Sequence, residues 1–519
     1  MEKLVYDVHE RPTFGKMLIF ALQQVLAIMA ATILVPNIIG LPMQIPAALL
    51  GAGLGTIVYL LFTRFKSPVF LGSSFAFLGS LGTAVAFGYL GIIVGSIFAG
   101  LVYVIIAVVI HFCGTNWVSK LMPPVIIGPT VALIGLGLAG TAMSNMVTAS
   151  GDAGVYSGYN LISILCGLVT FFTIVICSSQ KKFKMMKMIP FILGIGAGYI
   201  VACIFTAIGL AADIDYLKIV DFSPLVNNFV DPVTKEFVGF TAFLNYPDFA
   251  LIEAIKEIAN GKAGIAGATL LNWGGVAEVA IAFIPVALVV FAEHIADHRN
   301  LSTIIGKDLI KEPGLKRTLL GDGVGSMVGT VFGICPNTTY GESVGCVAIT
   351  KNASVITIFT AACMCIALSF VSPIMALLRT IPACVIMGGA CLALYGFIAV
   401  SGLKMFKDLD LGENKNLFVV SAILIAGIGG LSIQIPYALA TTGAVSKAIT
   451  ITNVATALIL GIVTNAILTA LEKSKLGKGE EEASIISAGT CGGTCDACVD
   501  DNCPECKGEE TTEAPTEAE

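Results

Sequence analysis

The chain has 519 residues, of which 56% are hydrophobic and 12% charged, with a formal net charge of -6. A mean hydropathy of +0.90 excludes an ordinary soluble domain. Apolar stretches near twenty residues recur from end to end, each long enough to cross roughly 30 Å of hydrocarbon as a helix, so the chain reads as a multi-span membrane protein with the bilayer as its solvent.

Residues 1–14 are polar and read as a cytoplasmic tail. The apolar run that follows is too long for a signal peptide and has no small-residue cleavage site, so it reads as a retained span. Hydropathy and helix breakers place spans near 15–36, 45–63, 67–84, 87–111, 122–142, 159–178 and 188–211, then near 276–296, 317–333, 336–350, 353–378, 381–401, 416–433 and 447–471. These are about fourteen. With the N-terminus inside, Arg64, Lys66, the Lys181–Lys187 run, Arg299, Lys307, Lys311, Lys316, Arg317, Lys351, Lys404, Lys407, Lys473, Lys475 and Lys478 all fall on the cytoplasmic face, as loops rich in Lys and Arg should.

Residues 212–275 form one long connecting loop on the extracellular or periplasmic side, dividing seven spans (15–211) from seven (276–471). The third span of each half is interrupted, by LGSSFAFLGS around Phe75 and by CPNTTYGESVG around Glu342. Interrupted segments at matching positions of two halves point to a midplane binding site between inverted repeats. Broken backbone in hydrocarbon survives only where protein or a water-filled cavity covers it. The competing reading is a pair of kinked helices packed through small residues.

Glu342 is not the only acid within the membrane. The run VALVVFAEHIADHRN carries Glu293, His294, Asp297 and His298, and the i, i+4 step from Glu293 to Asp297 stacks both carboxyls on one helix face. An ionised acid facing lipid costs about 2.5 kcal/mol or more, so Glu293 and Glu342 are expected to face a cavity or to be neutral. A protonated carboxyl both donates and accepts hydrogen bonds, which suits a proton carrier.

Taken together, PNTTYGESVG, AEHIADH, GKDLIKEPGLKRTLLGDG, IPACVIMGGACLALYG and LGSSFAF closely resemble the bacterial uracil permeases of the nucleobase-ascorbate (nucleobase:cation symporter-2) family, from about Phe14 to Leu471. The resemblance implies an all-α polytopic membrane protein of fourteen segments in two inverted repeats, with core and gate domains and short antiparallel strands in segments 3 and 10. It implies a proton-coupled symporter of the cell membrane, working as a homodimer; the charge pattern places both termini in the cytoplasm, and no Ser/His/Asp set, phosphate loop or zincin motif points to an enzyme. Carried over by position, substrate lies against Glu293 and Glu342. The backbone N–H groups of Phe75 and Gly341 meet its carbonyl oxygens, and Tyr340 and Tyr395 supply aromatic wall and a hydroxyl. Proton coupling falls to Glu293 with Asp297 and His298. Two positions depart from the family pattern: Asp297 stands where a coupling His is expected, and Ser343 where Asn usually follows the Glu. NTTYGE favours uracil over purines, with a xanthine or urate permease, or a passive channel or anion transporter of the same fold, as alternatives.

Residues 472–519 are an acidic, cysteine-rich cytoplasmic tail. Cys495, Cys498, Cys503 and Cys506 form two C-x2-C pairs, a spacing compatible with zinc or with an unstructured thiol-rich tail; a sensor built on this tail is the reading from another function class. Outside the tail no cofactor is expected, nor any nucleic-acid partner.

Overall fold

In hydrocarbon the backbone has no water to bond, so each span must satisfy its own N–H and C=O groups, and a helix does this locally. The computed structural model describes residues 4–41, 44–149, 157–180, 183, 186–187, 189–439 and 445–489. The four tail cysteines expected to hold a metal, Cys495, Cys498, Cys503 and Cys506, lie outside the described residues. The described residues fall into two compact units divided between Thr464 and Asn465.

In the first half α1 (Phe14–Ile38) and α2 (Ile45–Phe62) lead into a three-residue strand, β1 (Leu71–Ser73), and a short helix, α3 (Leu78–Val85). Then come α4 (Gly88–Cys113), α5 (Pro124–Gly137), a minimal strand pair β2 (Thr148–Ala149) and β3 (Gly158–Tyr159), α6 (Leu161–Ser179) and α7 (Pro190–Ala212). The connecting segment holds α8 (Ala250–Asn260), and the second half opens with α9 (Trp273–Ile305), α10 (Leu315–Phe332), the strand β4 (Asn337–Thr339) and α11 (Gly341–Thr350). It continues with α12 (Val355–Ser369), α13 (Cys391–Leu403), α14 (Asn414–Ile428), β5 (Ile433–Leu439), β6 (Val445–Ile451) and α15 (Asn453–Gly489). Among the described residues nine helices are long and apolar enough to cross a membrane, and α12 and α14 are shorter apolar helices.

The side chains left uncovered agree with a lipid solvent. Along α4, Ile97, Leu101, Ile105, Val108 and Phe112 are all exposed at steps of three or four, one continuous helix stripe. In water such a stripe would be a liability; in a bilayer it is the outer surface. The inner contacts use small residues instead. A methyl group on Gly55 of α2 would sit 2.7 Å from the Gly325 carbonyl oxygen of α10, and one on Gly325 equally close to that of Gly55. These two backbones touch, which only glycine permits.

The interrupted third and tenth segments are built as expected. β1 and β4 pair antiparallel, Leu71 with Thr339, Gly72 with Thr338 and Ser73 with Asn337. Their outer groups are satisfied by side chains and loops. Leu71 N–H donates to Thr56 Oγ1 (2.9 Å), Asn337 N–H to Ser326 Oγ (2.9 Å) and Asn337 Nδ2 to the Gly51 carbonyl (2.9 Å). Ser74 N–H donates to the Pro336 carbonyl (2.9 Å). Internal hydrogen bonds thus cover these backbone edge groups of the ribbon, as broken backbone inside hydrocarbon requires. Gly72 is required, because a Cβ there would enter the Tyr340 ring.

Elsewhere the second half departs from the sequence reading. The span expected at 416–433 stops at Ile428, and the one expected from 447 begins as strand β6, which pairs with β5 in the register Ile433 with Ile451 and Ile435 with Ile449. Val445, Ile449, Thr450 and Ile451 are β-branched and fit a pleated ribbon as readily as an apolar helix. The span expected at 381–401 opens with a π-helical stretch, Cys384–Ala390. The connecting segment is also more than a spacer. Glu257 of α8 is almost fully buried and accepts from the N–H groups of Tyr89 (2.9 Å) and Leu90 (3.0 Å), closing the N-terminus of α4, and from that of Gly264 (2.7 Å).

Candidate functional site

The ribbon positions two short helices. Because β1 and β4 are antiparallel and each runs on into its helix, α3 and α11 leave from opposite ends of the ribbon with their N-termini toward it. A helix N-terminus carries free N–H groups and partial positive charge, so polar oxygens are favoured beside it. Gly341 and Glu342 occupy the first turn of α11. Gly341 is exposed and Glu342 half-buried, and a Cβ built on Gly345 would meet nothing within 4 Å. This end of α11 looks onto open space.

α9 brings its acids to the same place. Asp297, 5% exposed, accepts a hydrogen bond from Thr339 Oγ1 of β4 at 2.7 Å, and its Oδ1 is 3.7 Å from where a Cβ on Gly341 would stand. Glu293, one turn earlier, is half-buried, and its Oε2 has no hydrogen-bond partner among the described residues. Glu293 lies within electrostatic reach of Asp297, Glu342 and Asp322, and Asp297 within reach of Glu342 and Asp322. Four carboxyl side chains thus converge on one region.

The aromatic residues divide into two roles. Phe75 and Tyr395 of α13 meet edge to face, with centroids 5.8 Å apart and planes at 82°, which joins the third segment to the twelfth. Tyr340 works behind the ribbon. Its hydroxyl donates to the Ser73 carbonyl (2.9 Å) and its N–H to the Phe70 carbonyl (3.1 Å), so both polar groups brace β1. It lies within electrostatic reach of Glu342 and Glu293.

His298 points elsewhere. Its Nε2 is 2.8 Å from the Tyr59 hydroxyl, which in turn is 2.7 Å from Ser67 Oγ. Stacked on His298 is His294, whose Nδ1 is 2.7 Å from Asp322 Oδ2 of α10, both wholly buried, a pair that the sequence reading left out. The signal for Asp322 was present in the sequence, since an acid inside an apolar span marks a functional site by default, but it sits in a glycine-rich stretch that reads as packing.

Comparison with known proteins gives the lineage of this arrangement. The sequence pattern of the Permease family matches residues 15–436. The chain belongs to the permease family. This permease is 37% identical over 487 residues to a uracil permease of Bacillus caldolyticus, covering 93% of this chain and 99% of the relative. It is 32% identical over 442 residues to the uracil permease of Escherichia coli (strain K12), covering 84% and 90%. The resemblance read from NTTYGE and AEHIADH is borne out. Among solved structures the permease is similar to the transmembrane domain of a cyanobacterial bicarbonate transporter, BicA, with a TM-score of 0.52 and 13% identity over 81% of this chain and 96% of that one. It is also similar to the murine anion transporter Slc26a9, with a TM-score of 0.54 and 12% identity over 89% and 70%. At that identity the likeness concerns the fold, a mostly helical membrane protein with small strand pairs.

Proposed function

We propose that this permease imports a nucleobase, uracil, together with a proton, by alternating access of one site to the two sides of the cell membrane. Relatives named uracil permeases over almost the whole chain support the substrate class. The observation that carries the site is the convergence of Glu293, with an unpartnered oxygen, and Glu342, in the first turn of α11, on one region of the fold. A planar ring with alternating donors and acceptors suits a few aimed polar groups between aromatic walls.

In this reading Glu342 and Glu293 bond the N–H and carbonyl edge of the pyrimidine, and the N–H groups of Phe75 and Gly341 meet its carbonyl oxygens. Tyr395 supplies the wall. Tyr340, its hydroxyl held by Ser73, supports the ribbon and does not reach the ligand with that group. Glu293 exchanges the coupling proton with Asp297 beside it; His298, turned toward Tyr59, acts at a distance. The fourteen-segment count, the repeats at 15–211 and 276–471, the cytoplasmic termini and the homodimer belong to the same proposal.

The test is uptake of labelled uracil into proteoliposomes under an imposed pH gradient. Uphill accumulation that collapses with the gradient supports symport; flux that only equilibrates supports a passive pathway and overturns it. Asp297 at a position where xanthine and urate carriers also place an acid favours one second reading, a purine permease. Uptake of labelled xanthine that excess uracil does not inhibit would establish that reading.

A further inference from the structure

Asp322 lies in the middle of α10 between Gly321 and Gly323, with no exposed surface and with Oδ1 lacking a hydrogen-bond partner among the described residues. A lone carboxylate is strongly disfavoured there. Its Oδ2 is 2.7 Å from His294 Nδ1. On the far side of the same imidazole, Nε2 is 3.0 Å from Thr318 Oγ1. Thr318 has one hydroxyl hydrogen, and its oxygen is also 3.0 Å from the Leu315 carbonyl, which can only accept. The hydroxyl hydrogen therefore goes to Leu315, and His294 Nε2–H donates to Thr318. The contact between Nδ1 and Oδ2 then needs a proton of its own, on one atom or the other, because two lone pairs at that distance repel. The count leaves a pair with zero net charge.

His298 adds no charge to this. Its Nδ1 is 2.8 Å from the His294 carbonyl and must donate, and Nε2 accepts from Tyr59, which accepts from Ser67. A second ring proton would place an uncompensated cation in a wholly buried site, stacked on His294 with centroids 4.1 Å apart. The other titratable groups nearby are Tyr103 of α4, whose ring lies edge to face with that of His294 with centroids 6.2 Å apart, and Glu342 of α11, with Glu293 and Asp297 on α9 itself. Of the cations next to Thr318 on α10, Lys316 is directed at His111 (3.2 Å) and Arg317 lies within reach of Glu312.

We propose that His294, Asp322 and Thr318 hold one proton in place, so that the charge behind Glu293 stays at zero while Glu293 itself gains and loses its proton. An anionic Asp322, within electrostatic reach of Glu293, would hinder release of that proton. The three are positioning residues for the coupling step, and the proposal rests on the reading of Glu293 as the coupling group.

The chain has four histidines, so nitrogen-15 NMR of histidine-labelled protein in bilayers, with His294→Gln as the subtraction control, reads the ring directly. A proton on His294 Nε2 throughout the pH range of uracil binding supports the proposal. A bare Nε2 overturns it, and this readout stands even if uracil fails to bind, a failure that would count against the proposed function instead. The second arm is the pH profile of labelled-uracil binding. Thr318→Val removes the acceptor, favours the tautomer with Nδ1–H on an anionic Asp322, and moves the profile up by about one pH unit, while Thr318→Ser leaves it in place. Coincident profiles for the two variants overturn the proposal.

Discussion

Thr339 Oγ1 donates a 2.7 Å hydrogen bond to Asp297 Oδ2, so the last residue of β4 is tied to the acid-bearing helix by its hydroxyl. Thr339→Val keeps the shape and removes the donor, leaving a buried acid short of a partner. The expected loss is about 1–3 kcal/mol of stability, seen as a lower unfolding temperature in detergent. Thr339→Ser should recover most of it. Equal unfolding temperatures for the wild type and the valine variant would mean that the bond holds nothing.

Glu342 stands in the first turn of α11 with open space in front of Gly345. Replacing it by alanine removes a carboxyl without disturbing the ribbon register. Calorimetry in detergent should show uracil affinity falling by about 2 kcal/mol or more, over tenfold, with thermal unfolding little changed. Undiminished affinity would remove Glu342 from the site.

Glu293→Gln imitates the protonated acid in shape but cannot release a proton. Counterflow exchange of uracil should persist, and accumulation driven by a pH gradient should be lost. Uptake that remains fully gradient-driven in this variant would exclude Glu293 as the coupling group.

Glu257 receives the first N–H groups of α4 from a segment that hydropathy treats as a linker. Glu257→Ala should cost about 1–2 kcal/mol, the range of a lost helix cap, and speed proteolysis within residues 212–275. Glu257→Gln, which keeps one accepting oxygen, should cost less. Identical protease sensitivity in all three proteins would show that the contact does not restrain the loop.

Composition and local order along the chain settled the solvent, the broken third and tenth segments and the stacking of Glu293 on Asp297. Each is a local property: glycine, proline and hydroxyl residues raise the cost of helix where they stand, and an i, i+4 step faces one way whatever surrounds it. The tertiary structure decided which distant groups meet. Tyr340 braces Ser73, 267 positions away, and Asp322 finds His294 across the contact between α9 and α10. The β5–β6 pairing went unseen because a β-branched apolar run fits strand and helix alike, and a ribbon exists only when a second segment supplies its hydrogen bonds. Such pairings depend on how closely whole helices approach, as at Gly55 and Gly325, and that distance is written in no single stretch of sequence.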